Sequence, residues 1–146
     1  MNDRFSIPYS SVNYVDHLGE RKTLYRPVID LLIFHHQMCS RVLECYFDTG
    51  ADFTIFPGNI ARTYLGLDES EIQKGIPMKI IGVGGIEKIV YGQKCKIVHS
   101  HFQFEDTIYF LDEESHPLLG RIGFMNHFKY FTLDEVEKKL VMEFDH

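Results

Sequence analysis

Phe47-Asp48-Thr49-Gly50-Ala51-Asp52 is the most informative stretch of the sequence, because it places a small acidic turn directly after an apolar stretch. Residues 41–47 are apolar-rich without a helical period, which predicts a strand leading into the turn. Gly50 allows close approach of the backbone. An aspartate in this setting either bonds its own backbone or acts as a catalytic carboxylate. The turn alone leaves both interpretations open.

The sequence before this turn predicts further strands. Residues 23–34 are apolar-rich and extended, and the polar stretch 35–37 separates them from 41–47, so the two runs predict a hairpin. Residues 5–15 have a similar β-branched and aromatic character and are broken by Pro8, which predicts an edge strand.

The sequence after the turn is also mostly extended. A short helix of about two to three turns is predicted to begin near Pro57 and to end at Gly66. Residues 78–81 and 86–91 flank a Gly-Val-Gly-Gly stretch, which predicts a hairpin. Other predicted strands cover 94–99, 102–104, 107–111 and 139–144. These elements predict an all-β fold with one or two short helices, in a single domain spanning 1–146.

Composition limits the possible function classes. The 146 residues are 45% hydrophobic, 14% aromatic and 25% charged, which provides a substantial core and excludes general disorder. The chain is too short for a two-domain enzyme. Its formal net charge is −6 and its Lys and Arg residues form no cluster, so we expect no nucleic acid partner.

The cysteines and the N-terminus predict a cytoplasmic protein. Cys39, Cys45 and Cys95 are an odd number without a close pair, which favours reduced thiols over a disulfide framework or a zinc knuckle. Residues 1–5 lack the basic start and apolar core of a signal peptide, and no apolar run is long enough to cross a membrane. With Met1 as the natural start, we expect a stand-alone product rather than a segment of a polyprotein.

Three segments, in this order and spacing, resemble the retroviral-type, or retropepsin-like, aspartic peptidases. The first is the turn quoted above. The second is the glycine-containing hairpin Lys79–Val90, similar to the flap of those enzymes, and the third is Leu118-Leu119-Gly120-Arg121, similar to the strand threaded beside their catalytic turn. The resemblance covers most of the chain and implies a retropepsin-like all-β fold. It also implies that Arg121 opens a short helix.

The resemblance also implies a chemistry. Aspartic proteolysis uses two carboxylates that share one proton, one acting as acid and the other as base. The chain contains one Asp-Thr-Gly and no Asp-Ser-Gly, so one subunit supplies half of a site. The expected active form is a homodimer in which the two Asp48 carboxylates activate water for hydrolysis of an extended polypeptide. No cofactor and no metal are required.

The resemblance implies roles for other residues. Thr49 and Gly50 would position the active site, and the hairpin tip would close over the substrate. Asp52 and Arg121 would form a structural ion pair near the subunit boundary. The expected substrate-binding residues are Ala51, Asp52, Phe53, Gly82, Val83, Gly84, Gly85, Ile86 and Leu118. Family members also build part of their interface from interleaved chain termini, and residues 139–144 are the candidate for this here.

Three alternatives stand beside the peptidase. The first alternative is a zinc site, which the eight histidines suggest, especially His99-Ser100-His101 on a predicted strand. No supporting zinc motif accompanies them. A Cys-His enzyme is disfavoured because no cysteine sits at a strand-to-helix elbow or in another setting that lowers its pKa. The remaining alternative is a catalytically weak or inactive dimer of the same fold that binds or scaffolds peptides. An intact Asp48-Thr49-Gly50 favours the enzyme, because a binding protein does not need a carboxylate pair.

Overall fold

Strands dominate the structure, which is a computed structural model that describes residues 3–146 except for the side chain of Val83. The described strands, in chain order, are β1 (Arg4–Pro8), β2 (Ser10–Val15), β3 (Arg21–Arg26), β4 (Val28–His35), β5 (Met38–Cys39), β6 (Leu43–Phe47), β7 (Ile55–Pro57), β8 (Ile76–Ile81), β9 (Glu87–His99), β10 (Phe102–Leu111), β11 (Leu118–Leu119), β12 (Phe128–Asp134) and β13 (Lys139–Phe144). The predicted all-β class is therefore confirmed.

Two short α-helices lie between β7 and β8. Helix α1 (Gly58–Tyr64) begins directly after Pro57, as the sequence predicted. Gly66 follows this helix with a φ of 69°, a conformation that suits glycine and ends the helix. Helix α2 (Glu69–Ile72) is capped by the Asp68 side chain, which accepts a hydrogen bond from the backbone N–H of Glu71.

The strands form three sheets. The largest has eight strands in the order β5-β4-β6-β11-β7-β10-β9-β8, and an additional pairing of β4 with β9 curves it toward closure. A second sheet has the order β1-β13-β12, and the third contains only β2 and β3. Strand β11 pairs in parallel with β6 and antiparallel with β7, so it lies between the strand that precedes the Asp48 turn and the strand that follows it.

The core lies between the large sheet, helix α1 and the three-stranded sheet. The core forms because side chains alternate between the two faces of each strand. In β13, half-buried and buried residues alternate, and in β9 and β10 every second residue faces the core over much of the strand. A group of phenylalanine rings joins the two larger sheets through edge and tilted contacts. Its members are Phe102, Phe124, Phe128 and Phe144.

Pro27 divides the first predicted strand. Residues 23–34 were expected to form one arm of a hairpin with 41–47, but β3 ends at Arg26 and β4 begins at Val28. Only β4 pairs with β6, whereas β3 pairs with β2. Proline lacks the N–H needed to continue a ladder. The Pro27 carbonyl still forms a hydrogen bond, which it accepts from Phe47 N at 2.9 Å.

Some predicted strand boundaries were wrong because the hairpins are longer than local sequence suggests. Residues 94–99 belong to β9, which starts at Glu87, and residues 102–111 form the single strand β10. Cross-strand pairing between β9 and β10 is continuous from Phe102–His99 to Phe110–Tyr91, so the polar residues 105 and 106 do not interrupt it. Strand β12 was not predicted, since its exposed residues lack a strong apolar alternation.

Strand β13 occupies the middle of the three-stranded sheet. It pairs with β1 on one side and with β12 on the other, both within the same chain. The expectation that residues 139–144 interleave with a partner's terminus is therefore not met by this strand, because both of its hydrogen-bonding edges are occupied. Strands β1 and β12 form the outer edges of this sheet.

The cysteines are all free thiols in this structure. Cys45 and Cys95 are buried in the core, and Cys39 is exposed. Burial raises the pKa of the Cys95 thiol to about 12 and raises the pKa of Cys45 as well. Cys45 thus has the packing role that its position on the strand before Asp48 predicted.

Within residues 3–146 there is no helix with the length and apolar character needed to cross a membrane.

Candidate active site

The Asp48 turn, residues 48–51, is fixed by backbone hydrogen bonds at the end of β6. Asp48 N donates to the carbonyl of Leu119 at 3.1 Å, and Ala51 N donates to the carbonyl of Asp48 at 3.1 Å. The Asp48 carboxylate accepts a hydrogen bond from Gly50 N at 2.9 Å through its Oδ1 atom. This bond orients the carboxylate within its own turn.

Gly120 lets the chain pass directly beside this turn. A Cβ atom at position 120 would overlap the backbone of Phe53. Only glycine lacks this atom, so β11 can lie between β6 and β7 at this distance. Leu118 and Leu119 pair with Tyr46 and Phe47. The predicted threading of the Leu118–Gly120 segment beside the Asp48 turn is confirmed.

Thr54 joins the two crossing segments from within the core. Its side chain is fully buried. The hydroxyl donates to the carbonyl of Ile122 at 3.0 Å and accepts from Gly120 N at 3.1 Å. Sequence analysis did not single out this residue. The signal was available, because Thr54 is the one polar residue in the apolar run 53–56, and a buried hydroxyl requires hydrogen-bond partners.

The Asp48 carboxylate lies beside an open cavity of about 340 Å³. Asp48 is half-buried, whereas Thr49 and Gly50 are exposed. The cavity therefore brings a partly desolvated carboxylate to a surface that solvent and a ligand can reach. It is lined by Arg26, Pro27, Tyr46, Phe47, Asp48, Thr49, His116 and Leu118. Three of the predicted site residues, Asp48, Thr49 and Leu118, are brought together here.

Arg26 places a positive charge in the same cavity. Its guanidinium carbon lies 5.3 Å from the centre of the Tyr46 ring, a distance typical of a cation–π contact. The Nε atom of Arg26 is buried and has no hydrogen-bond partner among the described residues. His116 also packs against Tyr46, with 4.8 Å between the two ring centres. Sequence analysis did not identify Arg26, because only the pairing of Pro27 with Phe47 brings it to Asp48.

The predicted glycine hairpin is confirmed as the β8–β9 hairpin. Its tip is a 3-10 turn over Val83–Gly85, closed by a hydrogen bond from Gly82 N to the carbonyl of Ile86 at 2.9 Å. Gly84 and Gly85 have φ angles of 84° and 74°, which favour glycine at both positions. The Val83 side chain lies outside the described residues. Ile86 is exposed, and none of the described tip residues lines the Asp48 cavity of this single chain.

Three other predicted site residues, Phe53, Asp52 and Arg121, do not line the Asp48 cavity. Phe53 forms an isolated parallel bridge with Ile122, and its ring contacts Tyr109 edge-on. Asp52 and Arg121 are close in the backbone, because Arg121 N donates to Ala51 O and Ile122 N donates to Asp52 O. Their exposed side chains form no ion pair within 4.0 Å among the described residues. The expected ion pair is thus not made inside one chain, and exposure gives such a pair little intrinsic strength.

The histidines His99 and His101 lie close together, with 5.5 Å between the centres of their stacked rings. His99 ends β9 and His101 lies in the following turn, so they do not share one strand face as predicted. His127 is bonded to Asp106 at 2.6 Å and stacks on Phe104, and of the two histidines flanking Leu118 only His116 lines the cavity. Residues 3–146 contain no group of three or more His, Cys, Asp or Glu side chains placed to hold a metal ion.

Comparison with known structures finds the same architecture. A retropepsin-like aspartic protease from Rickettsia conorii matches with a TM-score of 0.58 and 16% identity, over 99% of this chain and 94% of that chain. The chain has the retropepsin-like fold. The retroviral protease-like domain of Ddi1 from Leishmania major matches with a TM-score of 0.50 and 12% identity, over 81% of this chain and 94% of that chain. No family model and no curated protein matches the sequence.

This retropepsin-like chain departs from a further expectation of the resemblance at Arg121. Arg121 was expected to open a short helix, but the residues after it form a turn. A 3-10 turn over Met125–His127 follows, and β12 begins at once at Phe128. Gly123 has a φ of 95° and its N–H bonds to the Asn126 side chain. A positive φ at this position stops a helix from starting at Arg121.

Proposed function

We propose that the protein is an aspartic endopeptidase that acts as a homodimer. The observation that carries the proposal is the Asp48 turn: a half-buried carboxylate, oriented by Gly50 N and facing an open cavity, occurs once per chain. The retropepsin-like fold supports this assignment. A second copy supplies the second carboxylate, because one carboxylate cannot act as acid and base together.

In the proposed mechanism the two Asp48 carboxylates share one proton and bind a water molecule between them. The ionised carboxylate takes a proton from the water as its oxygen attacks the scissile carbonyl carbon. The protonated carboxylate then supplies its proton as the tetrahedral intermediate breaks down, and the leaving nitrogen departs as an amine. The carboxylate pair gains one proton from the water and gives one to the leaving nitrogen, so it again holds one shared proton at the end. No cofactor or metal takes part.

Neighbouring residues position the reacting groups. Thr49 is exposed beside Asp48, and we assign it a hydrogen bond across the dimer that holds the two turns in register. The β8–β9 hairpin is assigned the role of a flap that covers the substrate through its glycine tip. An extended peptide would bind main chain to main chain, with residues Ala51, Asp52, Phe53, Gly82, Val83, Gly84, Gly85, Ile86 and Leu118 around it. The apolar members favour hydrophobic substrate residues at the cleaved bond.

Three free cysteines, two of them buried, support a cytoplasmic setting.

Cleavage of a mixed peptide library over a pH series tests the proposal. The proteins compared are the wild type, Asp48→Asn and Asp145→Asn, at concentrations that sedimentation shows to be dimeric. In Asp48→Asn, the amide keeps the shape of the side chain and the hydrogen bond from Gly50 N but cannot carry the shared proton. Asp145 is exposed near the C-terminus, so Asp145→Asn is the matched control for the loss of one carboxylate.

We expect cleavage by the wild type and the control, and a loss of at least about 10³-fold in kcat/KM for Asp48→Asn. The rate should pass through a maximum with pH, because activity requires one proton on the pair. A verified dimer that binds but never cleaves peptides would instead assign the protein to the peptide-binding alternative. Equal cleavage by Asp48→Asn would refute the mechanism.

A further inference from the structure

The β2–β3 hairpin, residues 10–26, projects from the body as an arm. Its two six-residue strands extend for about 20 Å and form a sheet of their own, with no third strand among residues 3–146. An isolated two-stranded hairpin is marginally stable in water unless one face packs against something. The arm therefore has the structural character of an element that is completed by a contact outside the chain.

The two faces of the arm differ. Pairing of Val12 with Leu24 and of Tyr14 with Lys22 puts these side chains on one face. Val12, Tyr14 and Leu24, which we call the arm face, are 38%, 45% and 47% exposed. The opposite face carries Tyr25, whose ring centre lies 5.8 Å from Lys138 Nζ of its own chain. The opposite face thus contacts its own chain through Tyr25, and it also carries Val15, which is 65% exposed.

The arm face lies on the same side of the hairpin as Arg26, whose side chain lines the Asp48 cavity. Alternate residues of a strand share a face, so Leu24 and Arg26 lie on the same side of β3. The Arg26 side chain stacks on Tyr46 and lines the Asp48 cavity. The base of the arm is also tied to the strand before Asp48 through the hydrogen bond from Phe47 N to Pro27 O at 2.9 Å.

We propose that the arm is a dimerisation element and that its occupant is a second copy of this chain. The inference rests on the proposed function, which requires the partner's Asp48 turn to approach this same side. The strand β13 cannot supply the contact by its edges, since both are paired within the chain. The arm face is exposed and lies on the same side of the hairpin as Arg26, which lines the cavity, and docking on the partner would desolvate it.

Charge is consistent with a partner of the same sequence. The arm contains Arg21, Lys22 and Arg26 against Asp16 and Glu20, a net charge of +1. The whole chain carries −6, so the remainder carries −7. A slightly basic arm and the acidic body of a second copy therefore attract each other when two copies associate.

Sedimentation over a concentration series tests the arm without any reference to catalysis, and all variants are made in an Asp48→Asn background. Leu24→Asp puts a charge on the arm face. Leu24→Thr removes the apolar contact but keeps high strand propensity. Val15→Asp is the matched control, because Val15 is 65% exposed on the opposite face of the same hairpin.

We expect Leu24→Asp to weaken the dimer at least about tenfold and Leu24→Thr to weaken it measurably. Val15→Asp should leave the dissociation constant within about twofold of the parent. Far-UV circular dichroism of each variant should match the parent. Dissociation caused by Leu24→Asp and Val15→Asp alike, or by Leu24→Asp with no effect of Leu24→Thr, would assign the effect to unfolding of the hairpin and overturn the proposal.

The remaining outcomes separate the arm from the peptidase. A dimer that is indifferent to Leu24 refutes the arm and leaves the homodimeric enzyme standing. A Leu24-dependent dimer of a protein that never cleaves peptide supports the arm and refutes the proposed function. A chain that stays monomeric at every concentration refutes both. If Leu24→Thr in the wild-type background raises KM while the dissociation constant is unchanged, the arm contacts substrate, and the second copy is the wrong occupant.

Discussion

Replacing Thr54 by valine removes one hydroxyl and keeps the shape of the side chain. The hydroxyl accepts a hydrogen bond from Gly120 N at 3.1 Å and donates one to Ile122 O at 3.0 Å. Both partners belong to the segment that crosses beside the Asp48 turn. The substitution therefore tests whether this buried hydroxyl holds the crossing segments together.

The expected cost follows from the two bonds. Gly120 N would be left buried without the hydroxyl acceptor, which costs about 1–3 kcal/mol. The Ile122 carbonyl keeps a second hydrogen bond, from Thr54 N at 3.1 Å, so its loss is about 1 kcal/mol. The free energy of unfolding should fall by about 2–4 kcal/mol, and for a chain of this size the melting temperature should fall by about 5–15 °C.

Thermal melts of the wild type, Thr54→Val and Thr54→Ser at one protein concentration measure this effect. Serine keeps the hydroxyl and removes a methyl group, for a loss of about 1 kcal/mol. The proposed peptidase activity should fall more in Thr54→Val than in Thr54→Ser at a temperature where both are folded, because Leu119, next to Gly120, accepts the hydrogen bond from Asp48 N. Equal melting of Thr54→Val and the wild type would refute the argument, as would equal destabilisation by both variants.

Three further measurements address the packing, the titration and the thiols. Gly120→Ala should lose about 3 kcal/mol or more, because the added Cβ meets the Phe53 backbone, whereas Gly82→Ala, with 3.7 Å to its nearest neighbour, should melt like the wild type. Burial is the largest cause that lowers the pKa of His99 below its ordinary 6.5. The unfolded chain therefore binds more protons than the folded chain as the pH falls, and the free energy of unfolding decreases on acidification. His99→Phe should make the melting temperature depend less on pH between about pH 7.5 and 5.5. A thiol reagent should modify Cys39 in the native protein and reach the two buried cysteines only on unfolding.

Local patterns predicted the parts of the site that are contiguous in sequence. The Asp48 turn, the glycine hairpin and the Leu118–Gly120 segment each carry their own signal, since strand alternation and glycine position are readable within about ten residues. Their order along the chain then indicated the fold that the structure confirms. The start of helix α1 after Pro57 was predictable for the same reason.

The residues that sequence analysis missed depend on contacts between distant segments. Arg26 reaches the cavity only because Pro27 pairs with Phe47, far along the chain. The separation of β3 from β4 follows from the same proline, which interrupts an otherwise continuous apolar run. The position of β13 between β1 and β12 joins both ends of the chain. Pairing partners of this kind cannot be read from composition or periodicity, which describe one segment at a time.

Association of two such chains has to overcome their charge. Each copy carries a formal net charge of −6, so two copies repel each other at long range. The proposed site also brings one acidic group of each copy, the Asp48 carboxylate, close to that of its partner. Short-range contacts must outweigh this repulsion. The arm face contributes apolar area, and Arg26 contributes positive charge within the Asp48 cavity itself. In the proposed dimer, folding and activity would therefore be controlled by different groups. The core around Thr54 stabilises each chain, whereas the arm and Arg26 would govern how much of the protein is in the form that contains two Asp48 carboxylates.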